Sequence, residues 1–163
     1  MSAIGVVVAD TTPLNYLIVI ERAHILPALF GAVLIPPEVL EELRHPKAHE
    51  AISRWLHTTP EWLRVTPVKH MDKTMLLGKG EAAAISLAVE QRMKVVLVDE
   101  RRGRAAAEVR GLLAVGTLNL LDLADERRLL DGLAALHDLR QTTFRATPEL
   151  MERFAAKVKA RRG

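Results

Sequence analysis

Asp10 and Asp99 each close a short run of aliphatic residues, GVVVA before the first and VVLV before the second. Such runs read as strands buried on both faces, and in an open parallel sheet the carboxyl ends of the strands are where ligands bind. Glu42 falls within a helical stretch, and Glu81 at the first turn of another. Taken singly, each acid has an ordinary explanation. The aspartates suit helix N-caps, Glu81 is favoured by a helix dipole, and Glu42 belongs to a trio with Glu38 and Glu41 of which some members are simply solvated. Taken together, they come from four elements that a parallel sheet can bring to one edge. Carboxylates gathered there repel one another and lose hydration, and they persist together when a cation compensates them. Oxygen-only ligands at Asp10, Glu42, Glu81 and Asp99 suit Mg²⁺ or Mn²⁺, whereas zinc favours His or Cys. The six histidines show no ligand spacing such as HExxH, and there is no cysteine.

The elements that must position these acids alternate between short strands and helices. Strands are expected at 5–9, 32–35, 63–65, 95–98 and 113–115. Thr11 or Thr12 is expected to cap a helix with Pro13 in its first turn, and a short helix at 25–30 stops at Gly31. Pro36 and Pro37 end the second strand and open a helix over 38–44, followed by helical pattern over 47–56. A loop over 66–80 delivers the chain to the clearest amphipathic helix, 81–91. Further helices are expected at 102–110, from a Thr117 cap to 124, at about 129–139 and at about 148–159. Alternation of this kind implies right-handed crossovers and an α/β fold whose central parallel sheet is covered on both faces.

With 163 residues, 49% of them apolar, the chain can bury a continuous core without disulfides and reads as a single domain over 1–163. The absence of cysteine removes thiolate chemistry and fits a reducing cytoplasm. Asp10, Pro13 and Asn15 interrupt the early apolar run, which reads as neither a secretion signal nor a membrane span. The net charge is +3 and the pI near 9.5, with basic residues grouped at Arg101, Arg102 and Arg104 and again at Lys157, Lys159, Arg161 and Arg162. Such groups permit a polyanion partner without demanding one; solvated helix faces would look the same. If the partner is RNA, these cations are candidates for phosphate contacts. Aromatics make up only 4% of the chain, so recognition through backbone and shape is favoured over base stacking.

Four segments in order, Asp10-Thr11-Thr12-Pro13-Leu14, Ile35-Pro36-Pro37-Glu38-Val39 leading into Glu41-Glu42-Leu43, Gly80-Glu81-Ala82-Ala83-Ala84-Ile85, and Val96-Leu97-Val98-Asp99-Glu100-Arg101, resemble the motifs of PIN domains. The resemblance is to prokaryotic PIN-like proteins related to VapC-type toxins. It spans about residues 5 to 125, which leaves about 126 to 163 as a C-terminal helical extension. It implies a three-layer α/β/α fold and a Mg²⁺- or Mn²⁺-dependent endoribonuclease, the toxin of a type II toxin-antitoxin pair. It also implies a small antitoxin protein as partner and a homodimer, for which the C-terminal face of Leu150, Phe154 and Val158 is one candidate and core packing its other role. By motif match Asp10, Glu42, Glu81 and Asp99 are the four acids, with Thr11 or Thr12 a supporting hydroxyl. Two positions depart from the common pattern. Glu81 stands where such toxins often have Asp, and Leu97 stands where a hydroxyl residue often precedes the fourth acid. The alternative is a catalytically weak or inactive PIN-like scaffold that binds RNA or protein. A phosphatase with Asp10 as nucleophile fits worse, because Thr12 replaces the second Asp of D-x-D-x-T. A dinucleotide fold lacks its G-x-G-x-x-G.

Overall fold

β-Branched and aliphatic runs, each too short for a helix, form the five strands of the computed structural model, which describes residues 3–163. They are β1 (Val6–Ala9), β2 (Ala32–Ile35), β3 (Leu63–Val65), β4 (Val95–Leu97) and β5 (Leu113–Val115), paired in the order β3-β2-β1-β4-β5. All four pairings are parallel. The helices are α1 (Thr11–Val19), α2 (Ile25–Leu29), α3 (Pro37–Leu43), α4 (Glu50–Leu56), α5 (Lys79–Glu90), α6 (Arg101–Val109), α7 (Thr117–Glu126), α8 (Gly132–Arg140) and α9 (Pro148–Arg162). They flank the sheet to give three α/β/α layers.

Strand burial follows from this layering. Every residue of β2 is buried, as are Val7, Val8 and Ala9 of the central β1. In α5 the side chains Ala83, Ala84, Ile85, Leu87 and Ala88 are fully buried. Three of the five are alanines, which let a helix axis lie close to its neighbours.

The strand order places the site. From β1 the chain moves outward to β2 and β3, then crosses back to put β4 on the other side of β1. That reversal is a topological switch point, where crossovers diverge and open a crevice beyond the carboxyl ends of the strands. The ladder runs up to the acids themselves. The Asp10 amide donates to the Leu97 carbonyl at 2.9 Å, and the Val98 amide to the Val115 carbonyl at 2.9 Å.

Local capping departs from the sequence expectations in four places. Thr11 and Thr12 both lie inside α1, whose N-cap residue is Asp10. α4 begins only at Glu50, because His49 accepts a hydrogen bond from the Ala51 amide through Nδ1 (3.0 Å) and so caps the helix. α5 begins at Lys79 rather than Glu81, with Gly78 as its cap. α7 is capped by Gly116 rather than Thr117, whose hydroxyl is used elsewhere.

The C-terminal extension corrects the reading of charge, and it gives the apolar face of α9 its core-packing role. Lys157 pairs with Asp122 at 2.8 Å, Arg161 bridges Asp122 and Asp125, and Arg162 reaches Asp131. These cations clamp α9 to α7 and to the start of α8 and are not free for phosphates. Phe154 and Val158 are buried in the core, and only Leu150 of that face is substantially exposed. Among the described residues no helix is long and apolar enough to cross a membrane.

Candidate active site

Asp10 leaves the end of β1 with extended backbone (φ −82°, ψ 172°) as the N-cap residue of α1, yet its side chain makes no capping hydrogen bond. The residue is buried, 6% exposed. Burial is the main force pushing its carboxyl up, to a pKa of about 6. The Thr11 amide holds it down in part, and the charges of Glu42, Asp99 and Glu100 raise it further.

Glu42 is held between two helix N-termini. Its Oε2 accepts from the Thr11 hydroxyl, and its Oε1 accepts from the Gly80 amide at 3.0 Å. Glycine leaves that approach open, since a Cβ on residue 80 would clash with the Glu42 carboxyl group. Thr12 makes no side-chain hydrogen bond among the described residues, so of the two adjacent threonines it is Thr11 that supports an acid.

Glu81, in the first turn of α5, is 8% exposed. Desolvation, followed by the charges of Asp10, Glu100 and Glu42, lifts its pKa to about 7, with Arg102 pulling the other way. A second glycine makes room here, since a Cβ on Gly103 of α6 would clash with the Glu81 carboxyl group and press on Val98 Cγ2 at 3.0 Å.

Asp99 follows β4, and Thr117 from the start of α7 holds both of its oxygens. The Thr117 amide donates to Oδ1 at 2.8 Å and its hydroxyl to Oδ2 at 2.7 Å. Burial raises the Asp99 pKa, while these two bonds and then the nearby Arg104 guanidinium lower it. Thr117, itself fully buried, is a supporting residue that motif reading missed. Leu97, where a hydroxyl often stands, is buried in the sheet, and the hydroxyl for the fourth acid comes instead from 18 residues downstream. Glu100 was missed as well, although it directly follows Asp99 and its charge is felt at both Asp10 and Glu81.

The four sequence-predicted acids are thus brought to one crevice, electrostatically coupled, with Arg102 and Arg104 as the cations felt among them. The donors are all carboxylate oxygens in a desolvated, anion-rich setting, which suits a hard divalent cation. Among the described residues no three His, Asp or Glu side chains are already grouped to ligate one ion; Glu42 is turned to Thr11 and Gly80, and Asp99 to Thr117. The donor chemistry fits a metal, and Asp10, Glu42, Glu81 and Asp99 are the residues that would hold it. Of the arginines singled out from sequence, Arg101 and Arg102 are exposed, and Arg104 is half-buried with Nη1 near Asn119 Oδ1 (3.3 Å).

A family model described as a PIN domain matches residues 6–160. No curated protein matches the chain. PIN domains are generally nucleases and generally use divalent metals. The match takes in every strand, all four acids and nearly all of the C-terminal extension, so the chain belongs to the PIN-domain family.

Proposed function

We propose that this PIN domain is a Mg²⁺- or Mn²⁺-dependent endoribonuclease, the toxin of a type II toxin-antitoxin pair, with Asp10, Glu42, Glu81 and Asp99 as its metal-binding and catalytic acids. One observation carries the reading. Four carboxyl groups from four elements meet at the switch point of a parallel sheet, and three of them are held above their ordinary pKa. A fold does not retain such repulsion for stability; it retains it for a ligand.

In this mechanism Asp10, Glu42, Glu81 and Asp99 would hold a divalent ion, which would supply polarisation of the scissile phosphate and a lowered pKa for a water molecule. The chain's own residues prepare the site. Thr117 fixes the orientation of Asp99, Thr11 and the Gly80 amide fix Glu42, and burial of Asp10 and Glu81 leaves them poor in competing hydrogen bonds. Arg101 and Arg102, exposed beside the crevice, are placed to contact phosphates without reading sequence. The Thr117 hydroxyl on Asp99 favours this active reading over an inactive scaffold, because it supplies the support that Leu97 lacks.

A small antitoxin and a homodimer are the partners proposed with this function; the buried Phe154 and Val158 are no part of either contact surface. The test is cleavage of a panel of cellular RNAs. Cutting should stop with chelator, return with Mg²⁺ or Mn²⁺, and be absent in Asp10→Asn and Asp99→Asn proteins that remain folded. Undiminished cleavage by both variants would refute the assignment.

A further inference from the structure

Beside Asp99 a groove of about 570 Å³ opens between α6, the start of α7 and the segment that leads into α9. Residues 101, 104, 105 and 108 share one face of α6 and line one wall. The opposite wall is Phe144 and Arg145 of the C-terminal extension, and Leu118 and Leu150 add apolar surface. Arg101 and Arg145 form no ion pair or side-chain hydrogen bond among the described residues, and Arg104 is anchored from behind by Asn119 Oδ1 and, at 3.5 Å, the Val98 carbonyl. Elsewhere on this extension the cations Lys157, Arg161 and Arg162 are neutralised by aspartates. Of the cations left without an ion pair, Arg101, Arg104 and Arg145 line this groove, whereas Arg140, Arg153 and Lys159, also unpaired among the described residues, lie outside it. Glu108 also lines it, on the same face of α6 but one to two turns beyond Arg104 and Arg101, so a polyanion is favoured at the end nearest Asp99.

We propose that this groove is a subsite for single-stranded RNA, holding the nucleotide next to the scissile phosphate. Arg101, Arg104 and Arg145 receive its phosphate, and the apolar wall of Phe144, Leu118 and Leu150 receives its base. The volume suits one nucleotide, since small-ligand sites run from about 300 Å³ upward. Phe144 is only half-buried, and its ring is steadied edge-on by Tyr16 with centroids 5.2 Å apart, which leaves a fixed apolar surface toward the groove. Charge complementarity and continuity with the acids select RNA over a peptide. The subsite makes the extension part of substrate recognition, and it rests on the nuclease reading.

The experiment measures binding of a fluorescently labelled single-stranded RNA by anisotropy, in an Asp10→Asn background so that the strand stays intact. Arg145→Ala should weaken binding about tenfold and lower the slope of log K against log salt by about 0.7, as expected for one lost phosphate contact on a single strand. Phe144→Leu, which keeps an apolar side chain against Tyr16, should weaken it about fivefold or more, as loss of one stacked base does. Arg64→Ala removes another exposed arginine, from β3 at the opposite edge of the sheet, and should change little. Equal losses from Arg64→Ala and Arg145→Ala, or no loss from Arg145→Ala and Phe144→Leu, would overturn the subsite. Parallel cleavage assays separate the two readings. If the otherwise wild-type protein cuts RNA while the groove variants bind normally, only the subsite fails; if the groove variants lose binding and no RNA is ever cut, only the nuclease reading fails.

Discussion

Replacing Asp10 by Asn should make the metal-free protein more stable at neutral pH. In the unfolded chain this carboxyl releases its proton near 3.8, and in the folded protein near 6, a net upward shift that already includes the help of the Thr11 amide. The folded state therefore holds the proton more tightly, and wild-type stability is lost as pH rises from 3.8 through about 6. A shift of about two units at 1.36 kcal/mol each comes to about 3 kcal/mol once the group is ionised in both states. Asn has nearly the same shape and does not titrate, so the variant escapes that cost. It also removes one of the charges that raise Glu81. For a domain of this size about 3 kcal/mol corresponds to roughly 6–12 °C in Tm. Thermal and urea unfolding with chelator at pH 4 and pH 8 is the assay. The two proteins should match at pH 4 and separate by about 3 kcal/mol at pH 8 in favour of Asn. Saturating Mn²⁺, at about 100 times Kd, should then stabilise the wild type by about 2.7 kcal/mol and the variant much less. A variant that is less stable than wild type at both pH values would refute the reasoning and mark Asp10 as a helix cap.

Other expectations follow from the same geometry. Metal-free wild type should be most stable near pH 4–5: Glu81 costs stability as pH rises from 4.5 through about 7, whereas Asp122 and Asp131, held below the usual range by Arg161, Lys157 and Arg162, lose their contribution as pH falls through their lowered folded values. A chemical-denaturation series across pH reads both limbs. Gly80→Ala should leave the fold near wild-type stability, because alanine's better helix propensity, about 1 kcal/mol, offsets the displaced Glu42 carboxyl, whereas Gly103→Ala, whose Cβ also meets the buried Val98 Cγ2 at 3.0 Å, should lose stability. Cleavage should drop about a hundredfold in both, as a misplaced catalytic group implies. Thr117→Val should cost about 2 kcal/mol and most of the activity by removing a charge-assisted bond to Asp99, and Thr117→Ser should restore both.

The strands were legible because a doubly covered sheet demands uninterrupted aliphatic runs, and GVVVA, AVLI and VVLV have little other use. Motif order likewise made the four acids visible, because each directly follows a strand or starts or lies within a helix whose period is clear. The order β3-β2-β1-β4-β5 was not legible beyond parallel pairing, since it depends on which side of β1 each crossover lands. Side chains whose roles depend on tertiary neighbours were hidden for the same reason. Thr117 looks like a helix cap until the end of β5 is placed beside the end of β4, and Gly103 looks like a weak helix position until Glu81 is seen against it. The basic C-terminus looked available to RNA because the aspartates that neutralise it, Asp122, Asp125 and Asp131, lie 31 to 39 residues earlier.

In the proposed function Asp10, Glu42, Glu81 and Asp99 would hold a divalent metal that activates water for attack on an RNA phosphodiester. End-group analysis of the products tests it most directly. Attack by water leaves a free hydroxyl on one fragment and a phosphomonoester on the other, whereas attack by the RNA's own 2′-hydroxyl leaves a 2′,3′-cyclic phosphate. With Mn²⁺ the wild-type protein should give phosphomonoester and hydroxyl ends with no cyclic phosphate, and Asp10→Asn and Asp99→Asn should give no fragments. Cyclic-phosphate ends, or the same fragments in the presence of chelator, would contradict it.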